Sequence, residues 1–213
     1  ISEPEIDNAK TIDIVYEHEP GYNTAPSYET KTYLKYTDTY LYIGFRAYRD
    51  EVKADIHPRD NFSLFEDDFA NIHIDTYGDA RNNIGLTSNL YGSQADGVRV
   101  EDSGFGSQSS GWRLDANFDY QSLGRLTDFG YEVEFMIPFS SLPFPNSKDQ
   151  KWKINLNTTY RDNLKQGSSA KAYSSKLDRE SSCKLCQLNH TIVMNDISYK
   201  KNLDERAHKR HET

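Results

Sequence analysis

The chain of 213 residues has two cysteines, two methionines and two tryptophans, and no basic excess. Lysine and arginine number 25 against 33 acidic residues, a formal net charge of −8. A nucleic-acid groove needs a basic stripe to neutralise phosphates, and anionic lipid attracts basic segments, so neither partner fits. Apolar runs stop at about five residues, as in Leu41 to Phe45, far short of the ~18 of a membrane helix. This fragment is therefore not expected to insert directly into a membrane. No signal peptide opens it, and position 1 is Ile, which points to a processed chain or an excised piece. Catalytic signatures are also missing: no G-x-S-x-G elbow, no H-E-x-x-H and no Walker lysine.

What is present is period-two patterning with many tyrosines. In Tyr40–Tyr48, Leu41, Ile43, Phe45 and Ala47 share one face, with Tyr40, Tyr42 and Arg46 on the other. Thr30–Tyr36 alternates likewise, and Thr37-Asp38-Thr39 is a turn between them, so the pair reads as a hairpin. Ala70, Ile72 and Ile74 oppose Asn71 and His73. Residues 83–88 read as the return strand across the loop at 76–80. Further strands are expected at 97–101, 112–118, 131–137, 152–158 and around Ile192 and Met194. Many short half-polar strands mean an all-β antiparallel sandwich of jelly-roll type, with a short helical turn near Ser140. Residues 1–200 form the expected domain, and the charged tail 201–213 is expected to be disordered. Gly104–Gly111 reads as a mobile loop and 162–182 as a long Ser-rich loop.

Several residue groups could carry chemistry. Glu132 and Glu134 share one strand face, about 6.5–7 Å apart by strand rise, which a glycosidase could use and a solvated strand face explains equally. Asp67 and Asp68 precede a strand, and Asp75 and Asp79 bracket the next hairpin loop; such oxygen-rich loops suit Ca²⁺ or serve as charged turns. Cys183 and Cys186 form C-K-L-C. A local disulfide, free thiols, or a metal site completed by His190 and a tail histidine are the alternatives. Tyrosines on polar strand faces, including Tyr33, Tyr40 and Tyr42, suit the apolar faces of sugar rings. Trp112 and Trp152 fall in phase with inward residues.

In order along the chain come YLYIGFRAYRD (40–50), HPRD (57–60), EDDFANIHIDTYGDARN (66–82), GSQADG (92–97), GYEVEFMIPFSSLPFP (130–145) and QKWKINLNTTYRD (150–162). With EPEID (3–7) and the C-K-L-C stretch, this arrangement resembles the family 9 carbohydrate-binding-module-like domain. It is the type found at the N-terminus of uncharacterised bacterial outer-membrane β-barrel proteins. The resemblance implies a non-catalytic sugar-binding module of an exported protein, in the periplasm or at the cell surface and associated with the outer membrane. Its partners would be a glycan and the barrel of its parent chain. An interaction domain flanking that barrel is the alternative, and a glycosidase a third. Relatives often hold structural calcium and sandwich sugars between tryptophans. Here the expected ligand-binding residues are Arg59, Asp60, Asp96, Arg99 and Trp112.

Overall fold

The computed structural model describes residues 8–100, 112–113, 115–161, 169–178 and 188–195, with the backbone alone at positions 100 and 112. Thirteen strands follow one another: β1 (Lys10–Thr11), β2 (Tyr16–Glu19), β3 (Thr30–Tyr36), β4 (Tyr40–Tyr48), β5 (Phe69–Asp75), β6 (Asn82–Asn89) and β7 (Gln94–Val100). Then come β8 (Trp112–Arg113), β9 (Gln121–Thr127), β10 (Gly130–Pro138), β11 (Gln150–Tyr160), β12 (Ala170–Tyr173) and β13 (His190–Met194). The helical content described is two 3-10 turns, Phe62–Glu66 and Phe139–Ser141.

The strands form two antiparallel sheets, as the alternation predicts. One has five strands in the order β1-β3-β4-β10-β9; the other has eight, β2-β12-β11-β5-β6-β7-β8 with β13 beside β11. β12 takes the C-terminal half of one edge of β11 and β13 takes the N-terminal half. The expected hairpins β3–β4 and β5–β6 are both present.

Between the sheets lies the core. Leu41, Ile43, Phe45 and Ala47 of β4 and Tyr131, Val133, Phe135 and Ile137 of β10 meet Ile72, Ile74, Ile84, Leu86, Ile154 and Leu156. Phe45 packs edge-on to Phe135 at 5.8 Å between ring centroids. Trp152 is fully buried, in phase with Ile154 as its spacing predicts, and contacts Phe139 and Phe144 at 5.7 and 5.6 Å. The side chain of Trp112 lies outside the described set.

Ion pairs fasten the crossovers. Arg49 leaves β4 and is held between the rings of Tyr28 and Tyr160, 4.1 and 4.4 Å from its guanidinium carbon. It meets Asp68 at 3.4 Å, and Asp68 also accepts the Arg161 amide at 2.6 Å. Gly130 enters β10 at φ +141°, and a Cβ there would stand 2.3 Å from the Ala47 carbonyl oxygen, so only glycine fits.

Two expectations are corrected. The pattern at 112–118 yields only the short strand β8. Beyond it the Phe118 amide donates to the Asp96 carboxylate at 2.6 Å and its carbonyl accepts from Arg59 at 2.7 Å. Side chains satisfy this backbone where a neighbouring strand would otherwise do so. The Ser-rich stretch contains β12, and an unanticipated edge strand, β9, runs beside β10. The loop at 104–111, the Cys183–Cys186 pair and the tail 201–213 lie outside the described residues.

Buried apolar bulk sets the expected stability effects. Trp152→Ala is expected to lose about 3–5 kcal/mol in urea unfolding. The Tyr131 hydroxyl is buried with no hydrogen-bond partner among the described residues, and burial pushes its pKa well above that of free tyrosine. Tyr131→Phe removes that unsatisfied group and is expected to raise stability by about 1 kcal/mol in the same assay.

Candidate functional site: an amide-floored groove on the eight-stranded sheet

Strand alternation gives β5, β6, β7, β11 and β12 a second face opposite the core. Antiparallel register aligns Tyr173 with Asn157, Asn157 with Asn71, Asn71 with Thr87 and Thr87 with Ala95. One row of outward side chains thus crosses five strands. Asn157 Nδ2 donates to Asn71 Oδ1 at 3.2 Å, and Asn71 Nδ2 donates to Thr87 Oγ1. The next row aligns Asn155, His73, Gly85 and Gly97.

These two rows, Asn155 excepted, floor a groove of about 340 Å³, at the lower end of small-molecule sites. Gly85, Gly97 and Ala95 deepen it by having little side chain. Phe62, Phe65 and Phe69 line it as an aromatic wall, with Phe65 edge-on to Phe69 at 5.6 Å. Phe62 is 73% exposed, uncommon for a phenylalanine without a partner surface. Tyr173 also lines the groove, stacked on His18 at 4.0 Å with planes 10° apart. His18 Nε2 bonds to the Ser175 carbonyl at 2.8 Å, which fixes that pair. Burial pushes the Tyr173 hydroxyl up to about 12, so it stays protonated at neutral pH.

The groove is nearly uncharged at neutral pH. Burial is the main cause that lowers His73 to about 4, and the neighbouring Arg99 lowers it further. Lys171 is paired with Glu19 at 2.9 Å. Asp96 also lines the groove, but its carboxylate is taken by Arg59 and the Phe118 amide. Burial raises its pKa, outweighing those two contacts.

The residues expected from sequence divide between two places. Arg59, Asp60 and Asp96 come together. Arg59 bonds Gln94 Oε1 at 2.7 Å, pairs with Asp96, and lies 3.7 Å from Asp60 and 5.2 Å from the centre of the Tyr120 ring. The Asp96 amide donates to Asp60 at 3.1 Å. This cluster fastens loop 57–61 to β7. Arg99 stands apart on the outward face of β7, in register with Asn83 and position 112. Asn71, Thr87, Asn157, Thr159 and Tyr173 are not among the residues expected from sequence, yet they line the groove. Their signal is a strand face filled by amides and hydroxyls where charged groups usually stand.

The four aspartates expected to hold calcium flank β5 at its two ends, about 20 Å apart by strand rise. Asp67 accepts from the Asp55 amide, His57 and Asn89 at 3.1, 2.9 and 2.8 Å. Asp68 carries Arg49 and Arg161. Asp75 accepts the Tyr77, Gly78 and Ala80 amides at 3.0, 2.8 and 2.8 Å, and Asp79 accepts that of Arg81 at 3.0 Å. Among the described residues no three acids, histidines or cysteines converge.

Glu132 and Glu134 face out from the other sheet. Arg46 and Arg125 hold Glu132 at 2.7 and 2.6 Å. Burial pushes its pKa up, but the two arginines outweigh that and keep it below the usual carboxylate range. A glycosidic general acid needs the opposite shift. Glu134 lines a second groove of about 330 Å³ with Tyr33 and Tyr42, which lie half-buried on the outer face.

No family model matches the sequence, and no curated protein matches it. Among solved structures, the fold is similar to a Bacteroides uniformis protein assigned an inferred carbohydrate-binding role. The TM-score is 0.62 at 13% identity, covering 87% of this chain and 86% of that one. It is also similar to two structures of family 9 carbohydrate-binding modules from Caldicellulosiruptor kristjanssonii. One, in complex with glucose, gives a TM-score of 0.59 at 12% identity, covering 92% of this chain and 87% of that one. The other, in complex with cellotriose, gives 0.55 at 14%, covering 80% and 75%. Identities this low establish a shared fold and nothing further: a sandwich of two antiparallel sheets.

Two outcomes follow for the site. Asp75→Ala strands three loop amides and is expected to lose about 2 kcal/mol in urea unfolding. His73 has a folded pKa below its unfolded value near 6.5, so the unfolded chain binds the extra proton. Its contribution to stability is complete above about 6.5 and is lost as pH falls towards about 4. The difference in unfolding free energy between wild type and His73→Gln, followed from pH 7 to 4, should show that loss, and a flat difference would contradict it.

Proposed function

We propose that the protein is a non-catalytic carbohydrate-binding module that holds a glycan in the groove of the eight-stranded sheet. The observation that carries this is the row Tyr173–Asn157–Asn71–Thr87 beneath an aromatic wall. Sugars present apolar C–H faces and a rim of hydroxyls. Aromatic rings complement the first, and the Asn157 and Asn71 amides and the Thr87 hydroxyl complement the second. Their hydrogen bonds to one another fix the amides before a ligand arrives, which lowers the ordering cost of binding.

Two of the structurally similar proteins, at low identity, are described with cellotriose and glucose bound, which supports the same ligand class for this fold. Against an enzyme stands the lack of a working acid pair among the described residues: the Asp96 carboxylate is engaged, and Glu132 is doubly paired on the other sheet. The exported setting beside an outer-membrane barrel rests on the sequence resemblance and belongs to the same proposal. Fractionation of cells that make the full-length parent protein would test it, and a purely cytosolic signal would contradict it.

The direct test is calorimetry against a panel of oligosaccharides. A hit is expected to weaken about tenfold or more in Tyr173→Ala and in Asn157→Ala, and to persist in Tyr173→Phe, which keeps the ring. Circular dichroism should show all three folded. Absence of any ligand tighter than about millimolar, or a ligand indifferent to both alanine variants, would overturn the assignment.

A further inference from the structure

Among the described residues Arg99 is a half-buried cation on the groove face that the fold leaves unused. Arg46, Arg49, Arg59, Arg125 and Arg161 each hold a carboxylate. Arg99 has no ion pair or hydrogen bond among the described residues, although it is half-buried. Arg81 also has no carboxylate partner, but it is exposed beside the 76–80 loop, where water solvates it. Taking a guanidinium partly out of water without a counter-charge is unfavourable, and it is more so when the site lacks hydrogen-bond acceptors.

The position of Arg99 relates this cation to the groove. It lies two residues beyond Gly97 on the same face of β7, at the end of the groove floor. Its charge reaches His73 and Tyr173, adding to the burial that lowers the first and partly offsetting the burial that raises the second. Nothing in the groove cancels it: His73 is neutral, and the Asp96 carboxylate is committed to Arg59. Lys171 is already matched by Glu19. In a chain of net charge −8, this leaves a local positive end to a groove of neutral amides and aromatic rings.

We infer that the groove selects an acidic glycan, with Arg99 pairing to a carboxylate or sulfate on the sugar while the amide row holds the hydroxyls. The guanidinium fork suits either planar carboxylate or sulfate oxygens. This inference rests on the glycan-binding role proposed above and adds the ligand's charge.

The experiment measures dissociation constants of the 213-residue chain for two matched pairs. One pair is tetragalacturonic acid and its methyl ester; the other is a κ-carrageenan tetrasaccharide and its desulfated form. At least one acidic member is expected to bind about tenfold tighter than its neutral partner at low salt, with the advantage shrinking as salt rises. Whichever pair shows it identifies carboxylate or sulfate as the group recognised. In Arg99→Gln that ratio is expected to fall towards one, in Arg99→Lys to survive in part, and in Arg81→Gln to stay as in wild type. Equal binding of acidic and neutral members, with Tyr173→Ala still weakening both, would overturn the acidic preference and leave the glycan-binding role standing. A preference that survives Arg99→Gln would overturn the role of Arg99. No binding of any of the four, with another oligosaccharide of the calorimetric panel bound, would overturn the acidic preference and leave the glycan-binding role standing.

Discussion

The register that β11, β5 and β6 hold against one another is the constraint on which everything else depends. Side chains alternate across a strand, so a one-residue slip would exchange the two faces of the sheet. In the register observed, Ile154, Leu156, Ile72, Ile74, Ile84 and Leu86 turn inward together. The same pairing places Asn157, Asn71 and Thr87 in line on the other face. Core and groove are therefore one decision. The apolar face fixes the register, and the fixed register assembles the amide row without a separate scaffold. Hydrogen bonds along that row then hold each amide in one orientation.

Charges in this protein mostly join segments to one another. Arg49 and Asp68 pin the crossover after β4 to the start of β5 and the end of β11. Arg59 and Asp96 tie loop 57–61 to β7 and to the segment leading into β9. Asp75 closes the hairpin loop after β5 by accepting three amides. Buried pairs of this kind add little net stability but are costly to break, because the remaining partner is stranded. Acidic residues in clusters therefore act as fasteners for backbone N–H groups and arginines. Arg99 departs from this pattern, and that departure directs attention to the groove.

Much of the architecture is legible in the sequence because the central strands bury one face only. Leu41, Ile43 and Phe45, or Ala70, Ile72 and Ile74, announce themselves by period two. The misses have the same physical origin in reverse. β12 buries only Ala170 and Ala172, too small to stand out in a Ser-rich stretch. β9 is an edge strand whose Leu123 and Leu126 are exposed, so it carries no alternation to read. The pattern from Trp112 to Phe118 is real, but Asp96 and Arg59 satisfy the Phe118 backbone in place of a neighbouring strand. The groove was half-legible. The sequence places Asn71 and His73 on one face and Asn155 and Asn157 on another, but which strands lie side by side is a matter of topology.

The central claim is that ligand binds across the amide row of the eight-stranded sheet rather than over the tyrosines of the five-stranded sheet. Amide chemical-shift mapping during titration with an oligosaccharide that binds tests it most directly. The account predicts perturbations centred on Asn71, Thr87, Asn157 and Tyr173 and extending to Arg99. Perturbations centred on Tyr33, Tyr42 and Glu134, with the amide row silent, would contradict it.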